Sequence, residues 1–209
     1  SSISAQNDGR KENMVRLLQA KSVQIITDES ERSYRKAVEA TFLHNDTYLI
    51  CDTAFWRVDD NIINAKGNVQ EGTVLTTETL DYYIDEDLAQ FRGSVVQLLD
   101  KENNTLRTRY LDYNTADSVA VFSKGASMKD KDGQIIESVD GTYSSKEKLF
   151  TFSGNVNMFT DSIFIRTSTL EYHTDSEKAV FSSPTDFWKD DNMLSAQRGW
   201  YNRPSETFF

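Results

Sequence analysis

The side chains of this 209-residue chain that are able to do chemistry are few. His44, Cys51 and Asp52 fall in the compact run HNDTYLICD and are ligand types that zinc accepts. A third nitrogen or sulfur ligand is not apparent, since the second histidine, His173, stands in a polar turn. Carboxylates come in groups, Asp59-Asp60, Asp85-Glu86-Asp87 and Asp190-Asp191. A glycosidase needs two carboxyls placed across a cleft, whereas these recur in equivalent turns, the distribution of a solvated edge. The recurring GNV and GSV segments suggest a phosphate loop, but no G-x-x-x-x-G-K-[ST] or G-x-G-x-x-G is present and no helix pattern follows. No serine has a G-x-S-x-G setting. The chain reads as a non-enzyme with no catalytic residue, no cofactor and no metal.

The elements that carry these residues repeat. Take as zero Trp56, Tyr82, Tyr113, Tyr143, Tyr172 and Tyr201, spaced 26, 31, 30, 29 and 29 residues apart. Seven positions earlier stand Leu49, Leu75, Leu106, Ile136, Ile165 and Leu194. Five earlier comes a small residue: Cys51, Thr77, Thr108, Ser138, Thr167, Ala196. Two earlier come Ala54, Leu80, Leu111, Gly141, Leu170 and Gly199. Plus seven is Ile63, Ala89, Ala120, Phe150, Ala179 or Phe208; plus nine is Ala65, Phe91, Phe122, Phe152 or Phe181. Plus eleven reads Gly67, Gly93, Lys124, Gly154, Ser183, with the third glycine one place late at Gly125, which suggests a local bulge.

Positions plus seven, nine, eleven and thirteen share a parity, so in a strand their side chains lie on one face. Phe150, Phe152, Gly154 and Val156 show it best, with Thr151, Ser153 and Asn155 between them. The upstream half is a second strand whose parity changes between minus five and minus two, as a bulge or bend would require. Polar turns such as RVDDNI and HTDSEK join the halves, and KDKDGQ and similar stretches join the units. Leu18, Ala20 and Val23, with Ile25 at zero, outline an earlier degenerate unit. Its second strand is AVEATFLHND with Glu39 at the glycine position; a helix over 30–41 competes with it. Terminal repeats are often atypical because they cap the stack. Residues 1–16 form a polar flexible lead-in, and 17–209 one repeat domain. Cys51, taking a position filled elsewhere by Thr, Ser and Ala, reads as a small interior residue rather than a ligand.

Two-strand units of thirty residues cannot bury an apolar face alone, so they must stack into an elongated antiparallel or solenoid-like β structure. A formal net charge of −10 argues against a nucleic-acid partner. No apolar run approaches the length of a membrane span.

The pattern L-x-T/C, L-x-Y, polar turn, A-x-F-x-G-N/S-V resembles the OstA/LptA family of lipopolysaccharide-transport proteins. ICDTAFW with INAKGNV is most similar to its Bacteroidetes OstA-like branch. The resemblance spans roughly residues 17 to 209 and implies an all-β, folded-over, V-shaped β-jellyroll of about six two-strand repeats. It further implies a periplasmic or outer-membrane-associated module that holds acyl chains of lipopolysaccharide and passes the lipid toward the outer membrane. The groove it implies is lined by Leu75, Tyr82, Phe91, Leu106, Tyr113, Phe122, Ile136, Tyr143, Phe152, Ile165, Tyr172 and Phe181. Its partners would be lipopolysaccharide and other transport proteins, or a second copy, joined by edge-strand addition. Arg107, Arg109 and Arg166 would meet head-group phosphates, or else are ordinary surface arginines. A structural β-solenoid assembling by strand addition and a carbohydrate-binding module remain as alternatives.

Overall fold

A computed structural model describes residues 14–45, 47–71, 75–202 and the backbone of 207–208. Residues 1–13 of the expected lead-in over 1–16, the turn residues Gly72 and Thr73, and Phe209 lie outside the described residues. The fold is all-β and antiparallel, of jellyroll type, with one 3-10 turn at Ile84–Glu86 among the described strands. The chain forms two compact units, one up to Ala89 and one from Gln90 onward.

The first unit holds β1 (Arg16–Gln19), β2 (Ser22–Thr27), β3 (Ser33–His44), β4 (Thr47–Arg57), β5 (Ile62–Glu71) and β6 (Leu75–Tyr83). One side of β3 pairs with β2 through 33–38 and with β1 through 41–43; its other side pairs with β4, which continues to β5 and β6. The segment 30–41 therefore contributes strand, not helix. The expected inward residues of the degenerate unit prove wrong: Leu18, Val23 and Ile25 are exposed, and the buried residues on β3 are Ala37, Ala40, Phe42 and His44. Two short strands share one long neighbour here, so the residues counted as a regular upstream half do not follow the interior parity.

The second unit begins within β7 (Leu88–Leu99) and continues through β8 (Thr105–Asn114), β9 (Val119–Lys129), β10 (Ile135–Ser138), β11 (Asp140–Ser144), β12 (Leu149–Thr160) and β13 (Ile163–His173). It ends with β14 (Lys178–Phe181), β15 (Thr185–Lys189), β16 (Asn192–Ala196), β17 (Gly199–Asn202) and β18 (Thr207–Phe208). Equivalent residues of successive strands stand opposite one another in rows. The row Leu106, Met128, Ile136, Met158, Ile165, Phe187, Leu194 crosses one end of the strands. Tyr113, Ala120, Tyr143, Phe150, Tyr172, Ala179 and Tyr201 form a row at the other end. The sheet forks between them: β13 gives its first half to β15 and its second half to β14.

Bulges kink several of the other strands in both units. In three strand pairs two residues face one: Gly67-Asn68, Lys124-Gly125 and Gly154-Asn155. Both residues of each bulge have positive φ, from 45° at Asn68 to 100° at Gly125. The bulge expected only in the third unit is thus common to several, and glycine takes either of its two positions. Glu39 keeps the geometry with φ 47° and Lys124 with φ 64°, despite their side chains. At Ser183 the strand breaks instead, and the Ser183 hydroxyl lies 3.0 Å from that of Thr167.

The small minus-five residue has a role the spacing did not reveal. Its hydroxyl hydrogen-bonds a carbonyl at the kink, Thr77 to Thr79 O (3.1 Å), Ser138 to Asp140 O (2.9 Å) and Thr108 to Gly125 O (2.8 Å). A buried carbonyl left without a ladder partner would otherwise be costly. The inward parity expected at plus thirteen fails in one unit: after Gly93 it is Val96 that is buried, while Val95, at plus thirteen, is 50% exposed. This strand carries an extra residue between the bend and its inward position, which reverses the parity.

Candidate functional site

Of the twelve residues expected to line a groove, all but the half-buried Tyr113 are buried, and nine are 0–1% exposed. Leu75 and Tyr82 belong to the first unit and the other ten to the second. In the second unit the rings pack closely. Tyr143 stacks on Phe150 at 4.3 Å, Phe150 lies 5.8 Å from Phe152, and Phe122 lies 6.0 Å from Phe152. Phe181 meets Phe187 edge-on at 5.5 Å, which joins the two branches of the fork over one core.

Zero-position hydroxyls close that core. Tyr172 donates to Asp130 Oδ2 (3.1 Å), and the Tyr201 hydroxyl is 3.5 Å from Thr160 Oγ1. In the first unit Tyr82 is hydrogen-bonded to His44 Nδ1. Each tyrosine reaches a polar residue 38 to 42 positions earlier, at the far end of a strand. Asp130 is fixed in turn: its Oδ1 accepts the Asp132 and Gln134 amides and its Oδ2 accepts Gln134 Nε2 at 2.7 Å. Asp100 makes the same turn with Glu102 and Asn104. Burial raises the Tyr172 phenol pKa, and the Asp130 charge and hydrogen bond add to the shift. Tyr143 is raised chiefly by burial too, then by Asp100. Both phenols therefore stay neutral, and Tyr172 keeps the proton it donates to Asp130.

The buried exception is Glu71. It falls fifteen residues after Trp56, where the later units have Met128 and Met158, and it is 3% exposed with no hydrogen-bond partner for either carboxyl oxygen among the described residues. Burial pushes its pKa up to about 8. Together with His44, Thr47, Leu49 and Tyr82 it encloses a cavity of about 10 Å³, at the lower limit for one water. His44 is pushed down by burial, an effect partly offset by the Asp87 charge.

The residues with apparent metal chemistry are committed elsewhere. Cys51 is 3% exposed opposite Ala40, and burial followed by the Asp52 charge pushes its thiol up to about 12, which leaves it unreactive. Asp52 accepts Asn68 Nδ2 at 2.9 Å at the first bulge. His173, at the end of β13, is 3.9 Å from Glu171. Among the described residues no group of three His, Cys, Asp or Glu side chains could hold a metal.

An open apolar site lies at the end of the second unit. A pocket of about 630 Å³ is floored by Ile163, Phe187, Met193, Leu194 and Ala196, with Lys189, Asn192 and Arg198 at its rim. The interruptions at 182–184 and 197–198 let β15–β16 and β14–β17 diverge, and the pocket opens where they part. Leu194 continues the buried row of Leu106 and Ile165 yet is 67% exposed, and Met193 is 59% exposed. Spacing identified Leu194 as an interior position but offered no sign that its row opens here, because opening depends on how the half-strands pair.

The family profile described as OstA-like protein matches residues 12–168. No curated protein matches the chain. The profile covers the three bulges, the strands up to the first half of β13 and the Tyr82–His44 bond, and the family is one of transport and binding. Among the described residues no helix is long and apolar enough to cross a membrane. The chain belongs to the OstA-like protein family.

Proposed function

We propose that this chain is a periplasmic module for lipopolysaccharide transport, which takes lipid acyl chains into the apolar pocket at the end of the second unit. The observation that carries the reading is the pocket itself. Its volume of about 630 Å³ is in the range of small-molecule sites, its floor is aliphatic and aromatic, and its rim carries Lys189 and Arg198. Acyl burial supplies roughly 0.8 kcal/mol per CH₂, so a few chains outweigh the long-range repulsion of a chain with net charge −10, which salt screens beyond about 8–10 Å. The buried row residues Leu106, Ile136 and Ile165 lead to Leu194, so the groove lining expected from the sequence would be the continuation of the pocket into the core. Acyl chains reach that lining only where the tyrosine bonds of Tyr172 and Tyr201 part.

Photo-crosslinking tests this. A photoreactive residue at Leu194 or Met193 is expected to form adducts with lipopolysaccharide in cells, more than one at Phe152. Leu194→Asp is expected to weaken binding of an acyl probe at least tenfold, corresponding to about 1.4 kcal/mol, with Tm unchanged because the side chain is mostly outside the core. Adducts to protein alone, at the pocket and in the core alike, would leave the strand-adding scaffold as the better reading.

One observation favours the carbohydrate reading. The outer face of β12, β13 and β15 carries a ladder of Phe159, Phe164 and Trp188, with centroids 5.0 and 5.3 Å apart. Asp161, Ser162 and Asp190 surround a shallow depression beside it. Rings in a row with acceptors at their border suit the C–H faces and hydroxyls of a sugar. Trp188→Ala should then abolish binding of a lipid-free oligosaccharide; unchanged glycan binding, or none to the parent protein, removes this reading.

A further inference from the structure

The repeat places a lysine where its geometry asks for glycine. Lys124 is the first residue of a two-residue bulge and holds φ 64°, where the equivalent positions are Gly67 (φ 77°) and Gly154 (φ 81°). A side chain in the left-handed region costs on the order of 1 kcal/mol. The conformation alone does not single Lys124 out, since Glu39 and the turn residues also hold positive φ; its surroundings do.

Arg109 lies opposite the Lys124-Gly125 bulge, between the pairs Thr108–Ala126 and Tyr110–Ser123, and Arg107 pairs with Ser127. Both arginines and Lys124 line one depression of about 310 Å³ with Ser94, Val95, Thr108, Gly125, Ala126 and Ser127. No carboxylate lines it, in a protein with 33 acidic residues against 23 basic ones. The three cations are exposed and make no ion pair among the described residues. The bulge is held from below by the bond from Thr108 Oγ1 to Gly125 O (2.8 Å) and from the side by the bond from Gly125 N to Val139 O (2.9 Å). Lys124 is braced as well: its ammonium lies 4.4 Å from the centroid of Tyr110. Arg92 stacks at 3.3 Å from the same centroid and pairs with Asp112 at 2.8 Å. Arg92 is therefore occupied, whereas Arg107, Arg109 and Lys124 stand outside any ion pair among the described residues; the nearest acidic residue in register is Glu137, opposite Ser127 on the next strand.

We propose that this depression is an anion site, taking a phosphomonoester or diphosphate between Arg107, Arg109 and Lys124, with the Ser127 hydroxyl as a further donor. Arginine forks match phosphate oxygens two at a time, and lysine adds a point charge. The site lies on the outer face of the sheet and requires no acyl chain. It stands or falls separately from the apolar pocket. The phosphate could be free in solution or carried on a lipid or sugar head group.

Lys124→Gly is the decisive variant, because it restores the residue of the other repeats and relieves the positive φ. Its Tm is expected to equal or exceed that of the parent. Titration with inorganic pyrophosphate at low ionic strength should show saturable binding that weakens at least threefold in Lys124→Gly and at least tenfold in Arg107→Ala/Arg109→Ala. Binding should also weaken steeply as salt is added. A second arm uses phosphatidylcholine vesicles with and without phosphatidic acid. Retention only on the phosphatidic acid vesicles, lost in the same variants, places the phosphate on a lipid; pyrophosphate binding without vesicle retention places it on a soluble ligand. The proposal is overturned if neither probe binds, or if the variants bind both as the parent does. Acyl-probe binding is unchanged in these variants whichever way that result falls.

Discussion

Replacing Glu71 with methionine is expected to raise stability by roughly 3 kcal/mol at pH 8 and by much less at pH 4.5. The carboxyl is buried without a partner, and burial lifts its pKa from the ordinary 4.5 to about 8. The unfolded chain releases this proton near pH 4.5, while the folded chain keeps it until about pH 8. Between those values the folded state binds more protons, so stability falls as pH rises and the loss is complete above about pH 8. A shift of this size is worth on the order of 3–5 kcal/mol. Equivalent positions hold Met128 and Met158, each 0–1% exposed, so methionine has a precedent in the same environment. His44, depressed by burial and hydrogen-bonded to Tyr82, acts with the opposite sign below the ordinary histidine range, and it does so in parent and variant alike, so the difference between them reports Glu71. Thermal unfolding of parent and Glu71→Met between pH 5 and 8 checks the point. The parent should lose stability across the range and the variant should not, a difference of about 6–12 °C in Tm at the upper end. Parallel curves would mean that Glu71 finds a partner or water in solution.

Gly141→Ala is expected to cost about 3 kcal/mol, at the upper end of what overpacking in a core does. The residue stands at the minus-two position, where the other buried units have Ala54, Leu80, Leu111 and Leu170. A Cβ there would come 2.3 Å from Phe122 Cζ and 2.4 Å from the Thr151 carbonyl oxygen. Phe122 has taken the volume that a leucine fills elsewhere, and it leans over Gly141 toward Phe152. The cause is space, since Gly141 needs no unusual φ. Urea denaturation of Gly141→Ala alone and with Phe122→Leu separates the two collisions. Partial recovery in the double variant identifies the ring, and none identifies the Thr151 backbone. A single variant within 0.5 kcal/mol of the parent would refute the close approach.

Gly141 also marks how far reading the chain can go. Its place in a row was legible, because apolar residues must recur at a fixed register if stacked units are to bury one face. For the same reason the strands from Ile62 to His173, their joining turns and the interior places of Phe122, Phe152 and Leu170 could be read from spacing. What Phe122 does to Gly141 could not, since it depends on a ring of the neighbouring strand. Glu71 carries no signal in the glycine-centred pattern, because it stands at plus fifteen, two residues beyond the last regular position, where a carboxyl replaces methionine. The left-handed residues at the tight turns, Asn61, Asp87, Ser118, Lys148 and Glu177, share the position five after each zero. They share no glycine, so composition gave no notice of their conformation.

The sequence by itself determined the β class, the period, the inward rows and membership of the OstA-like family, because periodic burial leaves a periodic trace. Tertiary structure alone decided which half of each strand pairs with which neighbour, and so where the core closes and where it opens. Tyr172 and Tyr201 shut it through partners about forty residues away, and Leu194, identical in pattern to its buried counterparts, is left at the mouth of a pocket. Three cations without an ion pair among the described residues gather on the outer face of β8 and β9 for the same reason: bulge register brings together residues whose spacing in the chain carries no signal.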